Sequence, residues 1–250
     1  MHFLSGSMPK QDLSDHGAGI FRLFPPALLW LVILIIFPGK GMSAALAGAT
    51  GTGILLDERA YVLTSYHVVQ RCNRVMLRHG ALVIRARPGK YDEQLDLAIL
   101  VPERPFPVIP ALFRDPPPVA GERVVIAGFP KEVAGKGLLK AVSAEIVTVN
   151  AITPRPGTMR LSRGLDQGAS GGPVFDSSGR VIGLVSGLLV KRRDGKPVEA
   201  PGVALGSEPI QRFLQRAGIG IRKGREKPAG VAAIAKQAAG QVVKIECSAR

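Results

Sequence analysis

Only two cysteines, Cys72 and Cys247, and only four histidines occur in the 250 residues, which excludes a disulfide-rich scaffold and offers no cluster of metal ligands. Acidic residues are also scarce, 19 Asp and Glu against 33 Lys and Arg, for a formal charge of +14. The basic residues are scattered, densest at 191–193 and 222–227, and no base-reading motif accompanies them. Scatter of this kind reads as a solvated surface, so the expectation is no specific nucleic-acid partner, only weak adhesion to anionic lipid or wall polymers. No fixed-period repeat or low-complexity tract is present, and the 46% hydrophobic content excludes a disordered chain. What remains is one domain, or two small ones sharing a core.

A long apolar run is missing as well. Residues 27–37, ALLWLVILIIF, are eleven in a row, short of the roughly 20 that a spanning helix needs but of signal-peptide length. Beyond them Ala45-Leu46-Ala47 offers a small-x-small site that could be cut before Gly48. The alternative is an uncleaved anchor, because the stretch before the run is long and contains Asp12 and Asp15. Residues 1–47 are therefore expected to be a signal peptide or a membrane anchor. The protein is expected to be exported, periplasmic or secreted, or else held at the membrane through residues 27–37. Oxidising compartments favour cysteine pairing. If Cys72 and Cys247 pair, the C-terminus must fold back beside the first strands.

What is abundant is short strand signal. Runs rich in β-branched and aliphatic residues, separated by Gly, Pro, Asn and Asp, predict strands near 52–56, 60–64, 74–79, 81–87, 97–101, 122–127, 139–149, 158–162, 173–176, 180–186 and 202–205. This is an all-β barrel or sandwich pattern. Pro102, Pro105, Pro107, Pro110 and Pro116 to Pro118 interrupt it, and proline lacks the ladder donor, so this segment reads as a linker between two β modules. Helical periodicity comes late. In SEPIQRFLQRAG, Ser207 is expected to cap a helix with Glu208 and Pro209 in its first turn and apolar Ile210, Phe213, Leu214 and Ala217, ended by Gly218. A basic linker, a short helix in VAAIAKQAAG and an alternating strand in QVVKIEC close the chain.

Three short motifs carry chemistry. YVLTSYHVV delivers His67 just past a strand end; His2 and His16 precede the cleavage site and His79 sits in a turn with Gly80. QLDLAIL opens an apolar run with Asp96, which costs free energy to bury unless an imidazole N–H or another donor satisfies it; a solvated Asp at the strand start is the alternative. DQGASGGPVFD brackets Ser170 with Gly168, Gly171 and Gly172, glycines that permit a sharp turn and a close backbone approach. In such a turn the N–H groups of Gly168 and Ser170 can face one side as an oxyanion hole. Alone, it could equally be a hairpin with an idle serine.

The order His67, Asp96, Ser170 is that of the chymotrypsin-like architecture, not of α/β-hydrolases or subtilisins. The surrounding sequences resemble trypsin-like peptidases, and among them the bacterial HtrA/Deg type without a PDZ domain. GTGILLDERAYVLTSYHVV is similar to that family's strand, hairpin and histidine segment, DLAIL to its aspartate motif, and GASGGPVFDSSGRVIGLVSG to its nucleophile turn with the two following strands. The resemblance spans Gly51 to about Gly218. It implies an all-β fold of two six-stranded antiparallel β-barrels and an exported serine endopeptidase without cofactor or metal, acting on extended or unfolded polypeptide, with a monomer as the default. The alternative is a catalytically weak protease fold that binds peptides or serves as a scaffold. By the same resemblance Ser170 is the nucleophile, His67 the general base, Asp96 its partner, and Gly168 and Ser170 the oxyanion donors. Ser186 and Gly187 align the substrate backbone, while Gly164, Leu165 and Leu188 border the pocket for the residue before the scissile bond.

Departures from the family sharpen this. Ala169 replaces the acid or amide common before the nucleophile, which argues against zymogen activation through a freed N-terminus. Leu188 stands where a glycine is usual and implies a narrow pocket for small or medium aliphatic side chains. The effect of Tyr66 beside His67 is not predictable from sequence. Signal cleavage would leave almost nothing before Gly51, so the first barrel would lack its opening strand, and VAAIAKQAAGQVVKIEC resembles that opening. The expectation is a circular permutation: residues 48–115 form the N-terminal barrel with 240–248 as an added strand. Residues 116–218 form the second barrel and helix, and 219–239 the linker and short helix. Cys72 and Cys247 would then be bridged.

Overall fold

The computed structural model describes residues 49–131, 138–150, 155–188, 192–193, 196–197, 201–225 and 227–248. The expected signal or anchor segment, 1–47, lies outside them. In chain order the strands are β1 (Thr50–Leu55), β2 (Val62–Ser65), β3 (Arg74–His79), β4 (Leu82–Asp92), β5 (Leu97–Pro102), β6 (Leu112–Phe113), β7 (Arg123–Gly128), β8 (Lys140–Thr148), β9 (Thr158–Leu161), β10 (Pro173–Phe175), β11 (Val181–Leu188), β12 (Arg192–Arg193), β13 (Lys196–Pro197), β14 (Gly202–Gly206), β15 (Arg222–Lys223) and β16 (Val242–Ser248). Three helices accompany them: α1 (Tyr66–Val69), α2 (Ser207–Ala217) and α3 (Val231–Gln241).

Two closed six-stranded antiparallel barrels result. The first runs β1-β16-β3-β4-β5-β2, with β2 returning to β1. The second runs β10-β7-β8-β9-β14-β11, with β11 returning to β10. The C-terminal strand β16 lies between β1 and β3, with Ile54 opposite Val242 on one side and Cys247 opposite Val75 on the other. The last strand of the chain thus completes the barrel begun by the first. Cys72 and Cys247 form a disulfide, their Cα atoms 5.3 Å apart, across 175 residues of sequence.

Continuous apolar runs exist because many strands are buried on both faces. In β1, Leu55 faces the interior of the first barrel while Ile54 faces a second cluster with Phe113, Phe175, Phe213 and Ile234. In β7, Val124 and Ile126 fill the second barrel while Val125 and Ala127 join that same shared cluster. Alternation with a period of two therefore sorts residues between two apolar environments instead of between core and water.

The structure departs from the sequence reading at several places. The proline-rich linker contains β6, which pairs in parallel with β11 and with β15, so the chain from Leu112 already belongs to the second sheet and β15 interrupts the basic linker. Both are two-residue strands, too short to carry a periodic signal. The N-cap residue of helix α2 is Gly206, which offers no side-chain cap, and not Ser207, whose buried Oγ has no hydrogen-bond partner among the described residues. Helix α3 extends to Gln241, so β16 begins at Val242. Among the described residues no helix is long and apolar enough to cross a membrane.

Candidate active site

His67 is the second residue of the single-turn helix α1, directly after β2. Asp96 precedes β5, and β2 and β5 pair with Ser65 opposite Leu97, so the sheet register itself brings the two residues together. Asp96 is buried, with a left-handed backbone (φ 58°) that only Ala60 and Asn150 share among the described non-glycine residues. Such a conformation costs free energy and persists where its surroundings over-determine it. Here the Asp96 carbonyl accepts the Tyr66 N–H at 3.0 Å, and Oδ1 accepts the His67 N–H at 2.9 Å. Its Oδ2 lies 2.8 Å from His67 Nδ1. A carboxylate can only accept, so Nδ1 carries the proton and Nε2 keeps the basic lone pair. The His67 side chain is 40% exposed, so this basic nitrogen belongs to an accessible ring held by a buried acid. The burial of Asp96 decides between the two sequence readings of that residue: the imidazole satisfies it.

Tyr66 has a definable place. Its ring stacks on Tyr91 with centroids 4.8 Å apart, and its hydroxyl donates to Glu93 Oε1 at 3.0 Å, which raises the phenol above its ordinary pKa. These contacts fasten α1, and with it His67, to the β4–β5 connection.

The glycine turn sits against the same corner. Gly168 (φ 99°) and Gly171 (φ 85°) occupy the left-handed half of backbone space. A Cβ on Gly171 would collide with the Thr52 carbonyl and the Thr64 hydroxyl and come within 3.0 Å of the Ser65 nitrogen, so only glycine lets the turn approach to within two residues of His67. Thr52 clamps it from the first barrel. Its N–H donates to the Ser170 carbonyl at 2.8 Å, its hydroxyl donates to the Gly168 carbonyl at 2.8 Å, and that same oxygen accepts the Phe129 N–H at 3.0 Å. The N–H groups of Gly168 and Ser170 have no hydrogen-bond partner among the described residues. Ala169 is buried in the second barrel's core, and so is Leu165, whose side chain is part of the wall packing.

Strand β11 adds the third side. The Val185 carbonyl accepts the Gly171 N–H at 2.8 Å and the Ser65 hydroxyl at 3.3 Å. Ser186 donates to Asp96 Oδ2 at 3.3 Å. A Cβ on Gly187 would meet nothing within 4 Å, and Gly164 is half-buried beside Gly202. The side chain of Leu188 lies outside the described residues. Sequence reading missed two residues here. Thr52 lay in a strand signal with nothing to mark its hydroxyl, and Arg155, which donates to Ser186 Oγ at 2.8 Å, lies in a proline-flanked segment without a motif. Among the described residues no group of His, Cys, Asp and Glu could hold a metal ion.

Proteins similar to this chain in sequence and in fold are serine proteases. Serine protease Rv3671c of Mycobacterium tuberculosis is 33% identical over 151 residues, covering 56% of this chain and 36% of that protein. The Do-like serine protease HtrA of Lactococcus lactis is 28% identical over 199 residues, covering 72% and 49%. This chain thus spans about half or less of the length of these relatives. The crystal structure of the Rv3671c protease in its inactive form superposes with a TM-score of 0.55 at 28% identity, covering 67% of this chain and 84% of the other. The HtrA-type protease AlgW with a decapeptide shares the fold, with a TM-score of 0.57 at 18% identity over 66% of this chain and 50% of its own. Residues 51–184 match the trypsin-like peptidase domain, and the chain belongs to that family.

Proposed function

We propose that this chain is an exported serine endopeptidase that cleaves extended or unfolded polypeptide. Ser170 attacks the scissile carbonyl, His67 takes its proton through Nε2 and returns it to the leaving amine, and Asp96 holds the imidazole and stabilises its cation. The N–H groups of Gly168 and Ser170 receive the oxyanion; losing one such donor typically costs about 10²–10³ in rate. The edge at Ser186 and Gly187 pairs with the substrate backbone, as an added strand does. The open space beside Gly187 admits the side chain before the scissile bond. The observation that carries this reading is the buried Asp96 carboxylate 2.8 Å from Nδ1 of an accessible His67, beside a glycine turn of positive φ presenting Ser170. Export is supported by the disulfide, which oxidising compartments favour.

A fluorophosphonate probe tests it. Labelling of the wild-type chain, lost in Ser170→Ala and His67→Ala, is the expected result. An absence of labelling from about pH 6 to about pH 9, where a histidine base is competent, overturns the enzyme and leaves a peptide-binding fold.

A further inference from the structure

Asp96 Oδ2 has more company than an imidazole. Three donors converge on it: His67 Nδ1 at 2.8 Å, Ser186 Oγ at 3.3 Å and the guanidinium of Arg155, whose Nη1 stands 3.5 Å away. The same Nη1 donates to Ser186 Oγ at 2.8 Å. A serine hydroxyl has one proton and two lone pairs. With Arg155 donating into a lone pair, the hydroxyl proton is left for the carboxylate, and each hydrogen bond of the chain Arg155, Ser186, Asp96, His67 polarises the next. Asp96 is 3% exposed, so the cation beside it is poorly screened on that side, whereas Arg155 itself is 39% exposed and reachable from solvent.

We propose that Arg155 is a positioning residue for the catalytic aspartate: it acts through Ser186 to fix the carboxylate on the imidazole, and it sets its positive charge against the same carboxylate oxygen that holds His67. The inference rests on the proposed peptidase reading. The other charged groups around α1 are already engaged: Glu93 accepts the Tyr66 hydroxyl, and Asp92 accepts the Leu95 N–H and pairs with Arg216 at 3.2 Å. Lys90 reaches away to the Ala217 carbonyl at 3.4 Å. Arg155 is thus the described cation that faces the carboxylate of Asp96.

The test compares wild type, Arg155→Gln and Arg155→Lys. Fluorophosphonate labelling rates are followed against pH, and the proton NMR signal of the hydrogen on His67 Nδ1 is recorded in the same proteins. In Arg155→Gln the acid limb of the labelling profile should move to higher pH by about half a unit or more, a modest shift because the guanidinium is partly solvated. The labelling rate at the plateau should fall several-fold, and the Nδ1 proton signal should move. Arg155→Lys, which keeps the charge, should restore the position of the limb. If Arg155→Gln lowers labelling equally at every pH, with limb and Nδ1 signal unmoved, the residue only packs and the inference is overturned. If even the wild type is not labelled, the peptidase reading fails. The Nδ1 signal then still decides the positioning claim, supporting it by a shift in Arg155→Gln and overturning it by none.

Discussion

Thr52 shows how much one hydroxyl decides. It lies in β1 of the first barrel, yet its oxygen donates to the Gly168 carbonyl and accepts the Phe129 N–H, both in the second. Replacing it by the isosteric valine would leave a buried carbonyl and a half-buried N–H without partners. An unsatisfied buried group costs about 1–3 kcal/mol, so Thr52→Val should lose about 2–4 kcal/mol in guanidinium unfolding. Because Gly168 is the proposed oxyanion donor, probe labelling of Ser170 should fall well beyond the loss in folded fraction. Nothing in the local sequence marks Thr52 for this task, since its partners lie 116 and 77 residues away. His67, Asp96 and Ser170 were legible because each sits in a motif whose local backbone requirement is written in neighbouring residues. Arg155 has no such neighbours, and its partner Ser186 is 31 residues off.

Among the elements, β16 carries the most consequence. It alternates Val243 and Ile245, both fully buried in the first barrel, with Lys244 and Glu246 on the other face. On that face Glu246 meets Lys244 at 2.9 Å and Arg78 of β3 at 3.3 Å. The Lys244 ammonium holds its carboxyl below the usual carboxylate range against the opposing effect of partial burial, and Arg78 adds to the lowering. A depressed carboxyl contributes stability above its unfolded value, and this is lost as pH falls through the folded value. Glu246→Gln should therefore be less stable than wild type at neutral pH by about 0.5–1 kcal/mol, the scale of a partly exposed pair. The two denaturation curves should converge as the pH falls through the carboxylate range. The strand itself was legible from its alternation, and its place in the barrel from the resemblance of the tail to a missing opening strand. The two-residue strands β6 and β15 were not, because so short a pairing is set by what lies alongside and not by its own composition.

Across the whole molecule the chain leaves the first barrel, builds the second and returns to close the first, so the first barrel is made of two separated pieces of sequence with the second barrel inserted between them. The shared apolar cluster with Phe113, Phe175, Phe213 and Ile234 binds them further. Unfolding of residues 48–250 should therefore be a single transition by both fluorescence and circular dichroism. The Cys72–Cys247 bridge closes a loop of 175 residues, among the longer loops for which cross-linking restricts the unfolded chain most. Cys72→Ser with Cys247→Ser should lower stability by about 2–5 kcal/mol, read as a fall in the guanidinium midpoint with the transition still single. Two separated transitions in the disulfide-free chain would show barrels that fold independently.

Sequence by itself determined the longer strands, because apolar runs and breakers are local. It also pointed to the three chemical residues, because a strand end, a buried acid and a glycine turn each need particular neighbours. Tertiary structure alone decided that Asp96 is buried against the His67 ring, that Thr52 locks the glycine turn, that Arg155 reaches the Asp96 carboxylate through Ser186, and that Gly206 and not Ser207 is the N-cap residue of α2. Those at the site depend on hydrogen bonds between groups brought together where the two barrels meet. Spacing along the chain carries no record of which hydroxyl or guanidinium will be at hand when the barrels meet.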